Sequence, residues 1–111
     1  MTYQEYLDVL KRYDGTDSIR EKKELGDRIL EAAEALLHVL VAIYASQGKD
    51  FVDDPDYRTD RGWTSLEDCD KDNVYLHYSD RWAYGGECDI GIAVPMKYLD
   101  ADARAGLGAS S

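Results

Sequence analysis

The chain has 111 residues, 44% of them hydrophobic and 32% charged, with 23 acids against 13 bases and a formal net charge of −10. A chain of that size and composition folds as one domain with a real core, which excludes wholesale disorder. The acidic balance argues against direct binding of nucleic-acid phosphates, which need basic patches.

Thr2-Tyr-Gln-Glu5 has the spacing of a capping box, in which Thr oxygen and Glu carboxylate satisfy the free N–H groups of a first turn. Tyr3, Tyr6, Leu7, Leu10 and Tyr13 then form one apolar stripe at helical spacing, and Asp14-Gly15 is expected to end the helix with a left-handed glycine cap. A second capping box, Ser18-Ile-Arg-Glu21, opens a long helix from about Ile19 to Gln47, with Gly48 just beyond it. The short connection predicts an antiparallel helical hairpin.

The long helix is the organising element. Leu25, Ile29, Ala32, Leu36, Leu40 and Ile43 recur at steps of three and four. From Leu36 to Ala45 the intervening residues are apolar too, with His38 as the one polar break. A helix apolar nearly all round needs cover on most sides, so this half is expected to form the core and His38 to be buried or at its rim. The first half carries the basic cluster Arg20, Lys22, Lys23 and Arg28. Gly26 within it allows a close crossing, marks a kink, or divides the element in two.

Residues 49–62 show no periodicity and read as a long surface loop. Beyond it the pattern changes to strand period. Val74, Leu76, Tyr78, Trp82 and Tyr84 alternate with Tyr75, His77, Ser79, Arg81 and Ala83; Cys88, Ile90, Ile92 and Val94 alternate with Glu87, Asp89, Gly91 and Ala93. Tyr84-Gly-Gly86 is the turn between these strands. Trp63 to Cys69 is expected to be a third strand joined through Asp70-Lys-Asp-Asn73, although Thr64-Ser-Leu-Glu67 also fits the start of a short helix. Pro95 ends the last strand and opens a short helix through Tyr98, Leu99 and Ala103, leaving residues 105–111 as a flexible tail after a single domain over 1–104.

The acids are unevenly placed. Residues 50–72 alone hold nine acids and three bases. Such a run is either a solvated loop region or an anionic surface offered to a basic partner. Cys69 and Cys88 lack any metal or redox spacing, and the opening Met1-Thr-Tyr-Gln-Glu5 is polar, so a cytoplasmic protein with reduced thiols is expected. The apolar run at 36–45 is about half a bilayer crossing, so no membrane role is expected.

Asp68, Asp70 and Asp72 fall at the first, third and fifth positions of a calcium-loop spacing, but Asn73 stands where glycine belongs and Ser79 where a bidentate Glu is needed. No metal or cofactor is expected. His77, Asp89 and Ser79 share a strand neighbourhood and supply the raw material of acid–base chemistry, with no nucleophile motif or phosphate loop to frame them. The aromatics say more. Nine Tyr and two Trp against one Phe favour half-buried positions and interfaces, where a rigid ring with a polar handle serves best.

Val74-Tyr-Leu-His-Tyr78, Trp82-Ala-Tyr-Gly-Gly86, Ile90-Gly-Ile-Ala-Val-Pro95 and Tyr98-Leu99 resemble the C-terminal strand pair of small phage-encoded α+β proteins. That resemblance implies a phage or mobile-element accessory protein and carries no functional residue with it.

The expected fold is α+β, with an N-terminal helical hairpin whose long second helix lies on a three-stranded antiparallel sheet. The expected function is a non-catalytic protein-binding module that occupies a basic, nucleic-acid-binding protein surface, as an anti-CRISPR or anti-restriction inhibitor would. Asp53, Asp54, Asp56, Asp60, Asp70 and Asp72 would supply charge, and Tyr57, Tyr75, Trp82 and Tyr84 the anchors. A self-assembling homo-oligomer is the second reading, and an enzyme using His77 with Asp89 the third.

Overall fold

The computed structural model describes residues 1–53, 64–81 and 87–109. Helix α1 spans Tyr3–Gly15 and helix α2 spans Ile19–Ser46. Strands β1 (Thr64–Cys69), β2 (Asn73–Arg81) and β3 (Glu87–Pro95) follow, then a 3-10 turn (Met96–Leu99) and helix α3 (Ala101–Ala109). The strands form one antiparallel sheet in the order β1-β2-β3. The α+β architecture and the strand reading of residues 64–69 are as expected.

Both N-caps act as their sequences predict. Thr2 Oγ1 accepts the Glu5 N–H at 3.1 Å and Ser18 Oγ that of Glu21 at 3.2 Å. Gly15 does not take a left-handed cap: α1 includes it, and among the described residues Gly48 alone has a positive φ, 71°. There the Lys49 N–H bonds to the Tyr44 carbonyl and the Gly48 N–H to that of Ala45, which closes α2 with a Schellman motif.

α2 is one uninterrupted helix, so Gly26 does not divide it. A Cβ there would stand 3.3 Å from Tyr13 Cε2 and 3.8 Å from Leu66 Cδ2, so the glycine serves a close approach of α1 and β1. α2 lies across one face of the sheet and touches all three strands. Its buried residues are Leu25, Ile29, Ala33, Leu36, Leu37 and Leu40. Ala32 and Ile43 are only half-buried, and His38 is exposed together with Ala35, Val39 and Ala42. The apolar half of α2 is therefore covered on one side, and the expectation of a buried His38 does not hold. By length and composition alone α2 is also apolar enough to cross a membrane; in this fold its covered side closes the domain core.

The sheet's inner face is a ladder of matched apolar pairs. Val74 faces Val94, Leu76 faces Ile92 and Tyr78 faces Ile90, all buried. Tyr6, Val9 and Leu10 of α1 and Met96 complete the core. Where a frayed tail is expected from Ala105, helix continues to Ala109. Leu107 packs on the core, and its carbonyl accepts the Gln47 side-chain N–H at 2.8 Å.

Candidate functional site

Antiparallel sheets commonly bury one face and leave the other wet, and β1 departs from strict alternation in a way that loads the wet one. Leu66 pairs with Leu76, but the next pair is Asp68 with Tyr75, so Glu67 is the extra residue of a bulge. Alternation counted from Leu66 would turn Asp68 inward and Cys69 outward. The bulge reverses both. Leu66 and Cys69 pack against the core, while Glu67 and Asp68 are exposed side by side opposite Tyr75. The open face therefore carries Ser65, Glu67 and Asp68 from β1, Tyr75 and His77 from β2, and Gly91 and Ala93 from β3.

The β1–β2 turn adds more acid at one end of this face and is held rigidly. Asp70 Oδ1 accepts the backbone N–H groups of Asp72 and Asn73, each at 2.8 Å, and Oδ2 accepts the Tyr75 hydroxyl at 3.3 Å. This is the Asx geometry that favours acids in hairpin turns. α1 clamps the same turn: Tyr3 donates its hydroxyl to the Lys71 carbonyl at 2.8 Å, and Tyr6 donates to that of Asp70. The Met96 N–H bonds to the Asp72 carbonyl at 3.0 Å. The turn is thus fixed from α1 and from the end of β3.

These bonds separate the roles of the acids. The two backbone N–H donors, Asn73 first, hold the Asp70 carboxyl below the usual carboxylate range. Asp70 is exposed, as are Glu67, Asp68 and Asp72, but its charge is committed to the turn. A group with a depressed folded-state pKa stabilises the fold fully above its unfolded value, near pH 4, and loses that contribution as pH falls through the folded value. Asp70→Asn keeps an acceptor for both N–H groups but does not titrate. Its melting temperature should lie below the parent's at pH 6, and the gap should close as pH falls from about 4 toward 2. A gap that stays constant over that range would mean that ionised Asp70 does not hold the turn.

Of the expected partner-binding residues, the structure brings Asp70, Asp72 and Tyr75 together at the turn end of the sheet. Asp53 is exposed elsewhere, beside Ile90–Ala93 at the outer edge of β3. Asp54, Asp56, Tyr57, Asp60, Trp82 and Tyr84 lie outside the described residues, as does the Tyr84-Gly-Gly86 turn. Glu67 and Asp68, absent from that set, are central on the open face; two consecutive acids inside a strand are the sequence signal of the bulge that places them there.

The register sets His77 opposite Gly91 and Ser79 opposite Asp89, one step along the strands. His77 is half-buried. Burial, with Asp14 and Asp68 nearby, pushes the Cys69 thiol up to about 11, so it stays protonated at neutral pH and is a poor nucleophile. Among the described residues no group of three or more His, Cys, Asp or Glu side chains is arranged to hold a metal ion. The acids at the calcium-like spacing point part of their oxygens at backbone N–H groups: Asp68 Oδ1 accepts that of Cys69 at 2.8 Å. Comparison with protein-family models, with curated proteins and with solved structures finds no match.

Proposed function

We propose that this protein is a non-catalytic, cytoplasmic binding module whose open sheet face and flanking acids occupy a basic protein surface. The observation that supports this reading is the β1 bulge, which sets Glu67 and Asp68 together on the wet face beside the half-buried Tyr75. A rigid acidic surface around an aromatic ring has the two parts such an interface needs. Charge steers the encounter, and a desolvated ring anchors it. Asp53 adds charge at the outer edge of β3, and Asp54, Asp56, Tyr57, Asp60, Trp82 and Tyr84 belong to the proposed contact set by sequence. A basic nucleic-acid-binding protein is the partner class that best complements a chain of net charge −10. An inhibitor carried by a phage or mobile element against such a host defence protein, of anti-CRISPR or anti-restriction type, is the biological role in which this chemistry fits.

The immobilised protein, offered a nuclease-treated host extract, is expected to retain basic nucleic-acid-binding proteins and release them as salt rises from about 0.1 to 0.5 M. Reversing charge at Glu67 and Asp68, or at Asp53, Asp54 and Asp56, should weaken retention by about tenfold or more. Retention indifferent to both salt and charge reversal overturns the reading. Asp70 is unsuited to this test because its carboxylate holds the turn.

A second reading, self-assembly, draws on a different surface. Ala35, His38, Val39 and Ala42 leave one side of α2 uncovered. Sedimentation at micromolar concentration separates the two, since the binding module is a monomer in the absence of its partner.

A further inference from the structure

The two edges of the sheet are built differently. β1 is short and carries a bulge and two exposed acids, devices that blunt an edge against strand pairing. β3 is nine residues long and has neither a bulge nor an acid over residues 90–94. It pairs with β2 without a break from Glu87↔Arg81 to Pro95↔Asn73, and its one proline is its last residue. Among the described residues no backbone hydrogen bond reaches the outer side of β3.

Beyond that edge lies a cleft of about 450 Å³, walled on one side by Ile90 to Ala93 and on the other by Phe51 to Asp53. Its two sides differ in chemistry. Toward the core, Ile90 and Ile92 are each 7% exposed, and Phe51 and Val52 pack against the same cluster. Toward the open face, Gly91 and Ala93 are exposed and small, so a neighbouring backbone meets no bulky side chain there. The charge here is acidic: Asp53 is exposed in the cleft wall, and on the open face Glu67 Oε2 reaches across the sheet to 4.0 Å from where a Gly91 Cβ would stand.

An extended strand sends alternate side chains to opposite faces. A strand laid along β3 would turn one set toward Ile90, Ile92, Phe51 and Val52 and the other toward the open face, where Glu67 stands beside Gly91. We propose that the outer edge of β3 accepts an extended segment of the basic partner, alternating apolar and basic residues, as a fourth strand of the sheet. This rests on the acidic-surface reading above and names how the partner is gripped. Main-chain hydrogen bonds to β3 supply affinity, the apolar wall takes alternate side chains, and Glu67 selects Lys or Arg for the rest, with Asp53 adding negative charge at the cleft.

The test uses the whole isotope-labelled protein and peptide probes. The heptapeptide Lys-Val-Lys-Val-Lys-Val-Lys should bind and slow amide exchange at alternate residues of β3. Its isomer Lys-Lys-Lys-Lys-Val-Val-Val, of equal charge and composition, should bind at least about tenfold more weakly. N-methylation at alternate positions removes donors from one edge of the peptide, so one of the two possible sets should lower affinity about tenfold and the other should not. Equal binding of both isomers, with shifts at Glu67 and Asp68 but no protection in β3, overturns strand addition and leaves the acidic surface standing. Failure of both basic peptides to bind overturns strand addition, and the salt and charge-reversal experiment then judges the acidic surface alone. Concentration-dependent protection of β3 without peptide overturns the proposal in favour of a second copy at this edge.

Discussion

Replacing Tyr6 by alanine is expected to cost about 3–5 kcal/mol, because it removes a large, fully buried ring from the junction of α1 with the sheet. A domain of this size is stable by only about 5–15 kcal/mol, so the variant should be close to unfolding. Tyr6→Phe separates the ring from its hydroxyl. The ring still packs near Tyr3, whose centroid lies 6.4 Å away, but the Asp70 carbonyl loses its donor. That change should cost about 1 kcal/mol, measured by urea denaturation at neutral pH. The two variants also differ from the parent in alkali. Burial, with Cys69 and Asp70 adjacent, raises the Tyr6 pKa above its ordinary value. A raised folded-state pKa contributes stability that is fully present below the unfolded value, near pH 10, and lost as pH rises through the folded one. The parent should therefore lose stability above about pH 10 more steeply than Tyr6→Phe, which has no proton to lose at that site. Equal alkaline slopes would show that the Tyr6 hydroxyl is not buried in the folded protein.

Tyr6 also illustrates which parts of the molecule are legible in sequence. Its place in the Tyr3–Tyr13 stripe marks it as inward, and Thr2, Ser18 and Gly48 act as their types predict because a cap is decided within one turn of chain. The alternation of Val74, Leu76 and Tyr78 and of Ile90, Ile92 and Val94 likewise reports the buried face directly. Long-range facts are not readable in that way. That the Tyr6 hydroxyl reaches Asp70, 64 residues away, depends on where the β1–β2 turn arrives after the sheet has formed. Within the same turn, the backbone N–H groups of Asp72 and Asn73 change Asp70 from an expected partner-binding charge into a turn-holding one. Glu67 and Asp68 look like part of a loop-like acidic run until the register with β2 shows the bulge. Small residues mislead as well: the Ala-Gly-rich stretch after Ala101 has weak amphipathic pattern, yet it is helical and docks Leu107 on the core.

The face of α2 is the sharpest case, and it yields the second large effect. Leu37→Ala and Leu40→Ala should each cost about 2–5 kcal/mol, since both side chains are fully buried in the domain core. His38→Ala and Val39→Ala, their immediate neighbours, should change stability by no more than about 0.5 kcal/mol. Periodicity does not distinguish these four positions, because between Leu36 and Ala45 apolar residues run round the whole helix and leave no polar face to fix its rotation. What fixes it is the sheet below and α1 beside it. Glu31, Ala35, His38 and Ala42 then fall along the exposed side, so His38 marks solvent rather than the core rim. Leaving Val39 38% exposed forgoes part of the roughly 1.5–3 kcal/mol that full burial of such a side chain provides. Chemical denaturation of the four variants at one protein concentration reads all of these outcomes. If Val39→Ala costs as much as Leu40→Ala, and does so more at high concentration than at low, that side of α2 is covered by another chain. If it is silent at every concentration, that side of α2 faces solvent and self-assembly through it is excluded.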